Sequence, residues 1–478
     1  MLQIFNSLSG RKETFQPLQD GVVRMYVCGD TVYDFCHVGH ARSKVAFDIV
    51  RRYLAYRGFK VTFVRNITDI DDKIIARAAE NKESIQALTN RFIQAMHEDY
   101  DRLGILRPDH EPKATEHIAS IISLTSTLIE KGYAYVASNG DVLYSVSKFD
   151  GYGKLSGKQL ADLRAGARVA VEDAKRDPLD FVLWKRAKPG EPSWDSPWGA
   201  GRPGWHIECS AMSLDLLGSR FDIHGGGMDL KFPHHENEIA QSCGATEDSF
   251  AQVWMHNGFV NVDNEKMSKS LGNFFRIRDV LSSGYVRDPE VLRYFLISSQ
   301  YRGPINYSLT QIEQADAALS RLYTALRDLE PAAEVSASRA TKEFESSMDD
   351  DFNTPEALAA LQTLATEVNR AKASGELNTA RALAAELVHL GHVLGILHLQ
   401  PAEFLRKPKL AAPDSGAPTG EKNADVLSDE QIERLIEQRC ESRRSKNFKR
   451  SDEIRNTLSA KGIVLEDKPD GTTAWRRA

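Results

Sequence analysis

The sequence predicts an α/β protein: a parallel-sheet domain interrupted by an insertion, followed by an α-helical bundle and a small α/β unit at the C-terminal end. Three observations predict it. Residues 22–65 read as strand, helix, strand; the stretch beyond about 310 keeps helical apolar spacing; and a Pro- and Gly-containing segment at 407–427 sets off a short last unit. The 478 residues suffice for about three domains.

Val22-Val-Arg-Met-Tyr-Val27 has the apolar run of a buried strand and is closed by Cys28-Gly29-Asp30. From about Ala41 to Tyr56, Val45, Ile49, Val50 and Leu54 fall on one helical face, and Lys60–Arg65 is again strand-like, ending in Asn66-Ile67-Thr68-Asp69. A parallel unit of this kind binds ligands at the carboxyl ends of its strands, which is where Cys28 and Thr68 fall. From about 95 to 200 helical segments give way to a Pro- and Trp-rich stretch, which reads as an insertion; Phe221–His224 and Gln252–His256 then restore the strands. Beyond 310, Ala317, Leu319, Leu322, Ala325 and Leu326 line one helical face, and Thr354-Pro355-Glu356 is a helix start. The last unit has a helix from about Ser428, a second near Ser451–Lys461, and a strand-like Ile463-Val464-Leu465 before Trp475-Arg476-Arg477.

Composition narrows the function classes. Hydrophobic residues make up 41% and charged residues 27%, so disorder and fibrous repeats are excluded as the main state. No apolar run is long enough to span a membrane, and the first residues lack a basic flank with an apolar core, so a cytoplasmic protein is expected. Five cysteines, an odd and sparse set, are expected to be thiols or metal ligands rather than a disulfide framework. The net charge of −6 argues against a nucleic-acid coat protein. Locally, Arg443, Arg444, Lys446, Lys449, Arg450 and Arg455 face only Asp452 and Glu453, a basic patch suited to phosphate.

Three groups of residues carry chemistry. His37-Val38-Gly39-His40 sits between the first strand and its helix, where free N–H groups and the helix dipole favour an anion and two imidazoles can donate to phosphate; two histidines capping a turn is the alternative. Lys266-Met267-Ser268-Lys269-Ser270 puts two cationic side chains on a loop able to follow pyrophosphate, or is a solvated loop. In Pro233-His234-His235-Glu236-Asn237-Glu238, His234 and Glu238 share a helical face at i, i+4, whereas His235 at that spacing meets Ile239. With Cys28 and Cys209 they make a plausible tetrahedral zinc site; buried small cysteines and a solvated helix face are the alternative.

In this order the first two motifs resemble the HIGH and KMSKS elements of class I aminoacyl-tRNA synthetases, with Val38 in place of Ile. Cys28-Gly29, Trp205–Ser210, Asp222–Leu230, the HHENE run, Asn66–Lys73, Asp177–Lys185, Asp351–Pro355 and Gly471–Arg477 narrow the resemblance to the cysteinyl-tRNA synthetase family. It implies a Rossmann-like parallel-sheet catalytic domain at 1–95 and 201–310, a connective insertion at 96–200, a helical anticodon-side domain at 311–400, a linker at 401–427 and a C-terminal anticodon-binding unit at 428–478. It implies a two-step ligation of cysteine to its tRNA through cysteinyl-adenylate, with ATP and Mg2+, by a cytoplasmic monomer holding one zinc ion per chain that selects the substrate thiolate. His37, His40, Lys266 and Lys269 would act on ATP; Cys28, Cys209, His234 and Glu238 would hold zinc. Gly29, Thr68, Trp205 and Asp229 would contact the amino acid, and Arg443, Arg444, Trp475, Arg476 and Arg477 the tRNA. A related ligase passing cysteine to an amino-sugar, and a zinc-organised RNA-binding module without catalysis, are the competing readings.

Overall fold

The computed structural model describes residues 1–159, 174–262, 265–267, 273–335, 337–409, 427–468 and 471–477. They form two compact units: Met1–Ile277 with Ser299–Ile305 and Glu345–Thr354, and Arg278–Ser298 with Asn306–Phe344 and Pro355–Ala478.

The first unit is built on four parallel strands in the spatial order Phe250–Asn257, Arg220–Gly227, Val22–Thr31, Lys60–Thr68. Val23, Met25, Tyr26, Val27, Ile223 and Trp254 are fully buried, as strands covered on both faces require. The helix Val38–Tyr56 follows the first of the inner strands, so the expected β-α-β order is present. The strands run further than their apolar cores, to Thr31 and Thr68, and Cys28 therefore lies within a strand rather than beyond its end. Pairing with Lys60–Thr68 shifts between Val27 and Asp30, so Cys28 and Gly29 together stand opposite Asn66 in a bulge. A Cβ on Gly29 would lie 1.5 Å from Asn66 O, so only glycine fits there.

The region expected to be a helical and Pro-rich insertion supplies three strands of a four-stranded antiparallel sheet, Ala134–Val136, Val142–Tyr144 and Phe181–Arg186, and the fourth, Gly201–Pro203, lies just past its expected end at 200. Three of these strands have only three residues, too few for an alternating pattern to emerge. Leu128, Val142, Tyr144, Leu183, Trp184 and Ile207 join in one core beneath it.

The second unit is helical through Pro289–Ile297, Leu309–Leu326, most of Thr354–Ala373, and Leu377–Val393. Half-buried Glu290 accepts from Tyr323 OH (2.7 Å), His398 N (2.9 Å) and Leu397 N (3.0 Å), and Lys372 Nζ caps the Leu309–Leu326 helix at Arg327 O (2.8 Å). Within the expected linker, Pro401–Arg406 is a short helix, and 410–426 lie outside the described residues. The helix Asp429–Arg444 starts at a capping box of Ser428 with Gln431. Phe448–Ala460 follows, and Ile463–Asp467 pairs antiparallel with Thr473–Arg477. The second of these strands has no sequence signature because one of its two buried positions is an arginine, Arg477.

Candidate active site and metal centre

A cavity of about 440 Å³ opens at the carboxyl ends of the parallel strands. His37 and His40 stand on its wall at the start of the Val38–Tyr56 helix, their rings stacked with centroids 3.7 Å apart. They form a capping box: His37 Nδ1 accepts from Gly39 N (3.0 Å), and His40 Nδ1 accepts from His37 N (3.2 Å). A neutral imidazole that accepts at Nδ1 carries its proton on Nε2, so both rings are set as Nε2–H donors.

Backbone pairing brings the residues that flank the second motif to the first. Val38 N donates to Phe275 O (3.0 Å), Ile277 N donates to Cys36 O (3.0 Å), and Phe274 lies edge-on to His37 at 4.7 Å. Glu265–Lys266 pairs with Val260–Val262, and Met267 lines the cavity. Lys269 and the side chain of Lys266 lie outside the described residues.

Cys28, Cys209, His234 and Glu238 are all buried, and one ligand atom from each lies within 4.8 Å of the others. Cys28 Sγ is 3.9 Å from Cys209 Sγ and 3.5 Å from Glu238 Oε1; His234 Nε2 is 3.1 Å from Glu238 Oε1. Tetrahedral zinc, bonded at about 2.3 Å to sulfur and about 2.0–2.2 Å to nitrogen or oxygen, would set those three edges at roughly 3.8, 3.6 and 3.3 Å. The donor set fits such an ion in both chemistry and spacing. Burial would raise the Glu238 carboxyl, but His224 and His234 hold it well below the usual range. A hydrogen bond from Cys28 brings the Cys209 thiol down to about 6 against the effect of burial, while burial pushes Cys28 well up.

Three further histidines surround this set and were not singled out as site residues from the sequence. His224 Nε2 is 2.9 Å from Glu238 Oε2, which leaves Oε1 facing the other donors. His206 Nδ1 is 2.8 Å from His234 Nδ1. The i, i+4 argument against His235 fails, because at i, i+3 its Nε2 comes within 4.0 Å of Glu238 Oε1, and Cys28, His224, His235 and Glu238 form a second close grouping. Positions i, i+3 share a helical face as i, i+4 do, so the spacing that selects His234 does not exclude His235. No local spacing marks His206 or His224; the parallel sheet and two helices bring them in.

Of the residues expected to touch the amino acid, Gly29, Trp205 and Asp229 line the cavity. Trp205 is 39% exposed at the start of its helix, with its ring 4.4 Å from that of His234. Thr68 is buried at its strand end, opposite Thr31, and is not part of the cavity wall.

The family described as tRNA synthetases class I (C) catalytic domain matches residues 14–317, and the DALR domain matches 343–398. A cysteine–tRNA ligase of Methylococcus capsulatus is 58% identical over 482 residues, and one of Thioalkalivibrio sulfidiphilus 58% over 481, each covering 100% of both chains. The chain belongs to the cysteine–tRNA ligase family of class I tRNA synthetases. It is therefore an enzyme, a ligase, and nothing found supports the amino-sugar alternative. The fold is shared with solved class I synthetases: Mycobacterium tuberculosis methionyl-tRNA synthetase in complex with methionyl-adenylate (TM-score 0.52, 15% identity, 81% of this chain and 91% of that one) and a putative arginyl-tRNA synthetase from Campylobacter jejuni (0.55, 13%, 81% and 95%). Among the described residues no helix is long and apolar enough to cross a membrane.

In the second unit of this ligase the terminal residues differ from expectation. Trp475 is 3% exposed, its Nε1 donates to Glu433 Oε1 (2.7 Å), and the guanidinium groups of Arg406 and Arg477 lie 4.9 and 5.5 Å from its ring. The expected stacking plane for a base is therefore a core residue, because the small unit needs its largest apolar side chain to fill its centre. Arg477 donates to Asp429 Oδ1 (2.7 Å), Arg406 O (2.8 Å) and Leu427 O (2.9 Å). Arg443 pairs with Asp467 at 2.9 Å, and Arg476 lies 3.6 Å from Glu466 Oε1. Arg444 is exposed at the end of its helix, next to exposed Lys446, Lys449 and Arg450.

Proposed function

We propose that the chain ligates cysteine to its cognate tRNA in two steps at this cavity, using ATP accompanied by Mg2+. The observation that carries the reading is the juxtaposition, in one cavity, of two Nε2–H imidazoles at a helix start with a buried Cys–Cys–His–Glu set reaching the cavity through Cys28.

In the first step a carboxylate oxygen of cysteine attacks the α-phosphorus of ATP; the bond to the bridging oxygen breaks and its electron pair leaves with pyrophosphate. His37 and His40 donate from Nε2 to phosphate oxygens, and Lys266 and Lys269 balance charge on the departing pyrophosphate, which lowers the barrier where charge develops. In the second step a terminal ribose hydroxyl of the tRNA attacks the acyl carbon, AMP leaves, and the hydroxyl proton passes to a phosphate oxygen of AMP. Cys28, Cys209, His234 and Glu238 would hold one zinc ion. Such an ion would favour the substrate sulfur as a thiolate over the hydroxyl of serine, a poorer ligand for a thiolate-rich centre. Gly29, Trp205 and Asp229 orient the amino acid, with Trp205 covering the entrance. Thr68 acts from behind the wall by fixing the strand end.

The tRNA is held at a distance by residues 311–400 and 428–478. Arg444, with Lys446, Lys449 and Arg450 beside it, supplies phosphate contacts; Arg443 and Arg476 stand in the same unit. A monomer in the cytoplasm completes the reading. Cysteine-dependent ATP–pyrophosphate exchange, followed by cysteine charging of bulk tRNA, tests it. Exchange and charging with cysteine and neither with serine is the expected result, and charging without selectivity for cysteine over serine overturns the assigned role of the donor set.

A further inference from the structure

Asp351 is fully buried, and both of its carboxylate oxygens are filled. Oδ1 accepts from Phe5 N (2.8 Å) and Tyr301 OH (3.0 Å); Oδ2 accepts from Arg302 Nε (2.6 Å) and Gln300 Nε2 (3.2 Å). Its backbone sits at φ 61° and that of Phe352 at φ 52°, conformations that ordinary residues keep only when their surroundings hold them there. Three of the four donors come from one short loop, residues 299–303.

That loop is gripped from two other sides. Arg42, two residues beyond His40 on the same helix, donates through Nη2 to Gln300 O (2.8 Å), Ser299 Oγ (3.1 Å) and Gly303 O (3.4 Å). On the far side Gly258 N donates to Tyr301 O (2.8 Å) and Ile305 N donates to Phe259 O (2.9 Å). The approach at Gly258 is so close that a Cβ there would lie 2.3 Å from Gly303 O. Gly258, Phe259 and Val260 line the cavity, and Val260–Val262 pairs with Glu265–Lys266.

We propose that Asp351 is a positioning residue for the nucleotide half of the site. It holds the 299–303 loop as a bracket between the helix that begins at His37–His40 and the strand Val260–Val262 that pairs with Glu265–Lys266, and so fixes the cavity wall at Gly258–Val260 relative to the two imidazoles. Its carboxylate does this because four converging donors need a charged, two-oxygen acceptor at the centre. Among the described residues no hydrogen bond joins residues 299–303 to Cys28, Cys209, His234, Glu238 or Trp205, so the effect is expected to fall on ATP. The inference rests on the assignment of the two motifs to ATP.

The test is cysteine-dependent ATP–pyrophosphate exchange by the full chain and by Asp351→Asn, Tyr301→Phe and Gly258→Ala, with bound metal and Tm measured on each. Asp351→Asn keeps the volume but turns one acceptor toward the donors as a donor. A misplacement of about 1 Å can cost about 100-fold, so kcat/KM for ATP is expected to fall about 10–100-fold. The KM for cysteine and the metal content should stay unchanged. Tyr301→Phe removes a single donor and is expected to give a smaller loss of the same kind. Gly258→Ala pushes the bracket from its other face and should also weaken ATP use selectively. If Asp351→Asn does not fold, the other two variants decide. Parallel loss for ATP and cysteine, or a lower Tm with ATP kinetics unchanged in the folded variants, overturns the proposal. No exchange by the unmodified chain would overturn the functional reading and the bracket with it.

Discussion

His206 Nδ1 stands 2.8 Å from His234 Nδ1, while His234 Nε2 stands 3.1 Å from Glu238 Oε1. One ring nitrogen of His234 is thereby occupied by a neighbouring imidazole and the other is turned into the donor cluster. Ligating histidines are oriented through their second nitrogen in this way, and loss of the orienting partner typically costs about 10–100-fold in metal affinity. His206→Ala is expected to weaken zinc by that order while leaving the chain folded, as measured by chelator competition; unchanged affinity would show that His234 is oriented by its helix alone.

Cys209→Ser should abolish stoichiometric zinc, because a hydroxyl does not replace a thiolate in this set. Cys36→Ser and Cys243→Ser should retain the metal. Cys36 is buried, and burial pushes its thiol above the usual range. Cys243 is half-buried, and burial raises it to about 11. Neither is part of the donor group. Elemental analysis of the three proteins reads the outcome directly, and full zinc in Cys209→Ser would refute the ligand assignment.

Stability in acid should depend on His256. Burial, with Lys231 and His224 adding to it, lowers this imidazole from about 6.5 to about 3. The folded state then binds fewer protons than the unfolded state between those values, so the contribution is full above about pH 6.5 and is lost as pH falls toward 3. His256→Gln should flatten the decline of Tm over that window relative to the unmodified protein. Parallel Tm–pH curves would assign the decline to other groups.

Arg444→Ala, better combined with Lys449→Ala, should raise the KM for tRNA in cysteine charging and reduce its salt dependence, with the exchange reaction untouched. If charging is unaffected at low and high salt, the exposed end of the Asp429–Arg444 helix is not a phosphate contact.

Trp475→Ala should act on stability. Emptying a buried aromatic site commonly costs about 3–5 kcal/mol, and here the Glu433 carboxylate would also lose its indole donor. Differential scanning calorimetry is expected to show the terminal residues 428–477 melting earlier. A normal thermal profile with weakened charging would return Trp475 to a role in RNA recognition.

The parallel α/β unit was legible in the sequence from its apolar runs, and local patterns pointed to candidate nucleotide and metal-ligating residues at the His37–His40 helix start and the i, i+4 phase of His234 and Glu238; Cys28 and Cys209 share no local spacing and are brought together by the fold. Tertiary structure alone decided the rest. The bulge that seats Cys28 depends on Gly29 meeting the backbone of Asn66 from another strand. His206 and His224 reach the candidate metal centre from separate elements, and His235 reaches it because i, i+3 positions share a helical face as i, i+4 positions do. The antiparallel sheet of the insertion is assembled mostly from three-residue strands, whose order comes from their partners rather than from their own composition. Trp475 and Arg477 look like solvent-facing recognition residues at a chain end, yet they are buried, because a unit of two helices and a hairpin must fill its core with whatever large side chains its last strand directs inward. Short-range spacing determines which groups are present and on which local face they lie; which of those faces meet is decided by the packing of distant segments, where burial and hydrogen-bond satisfaction are settled together.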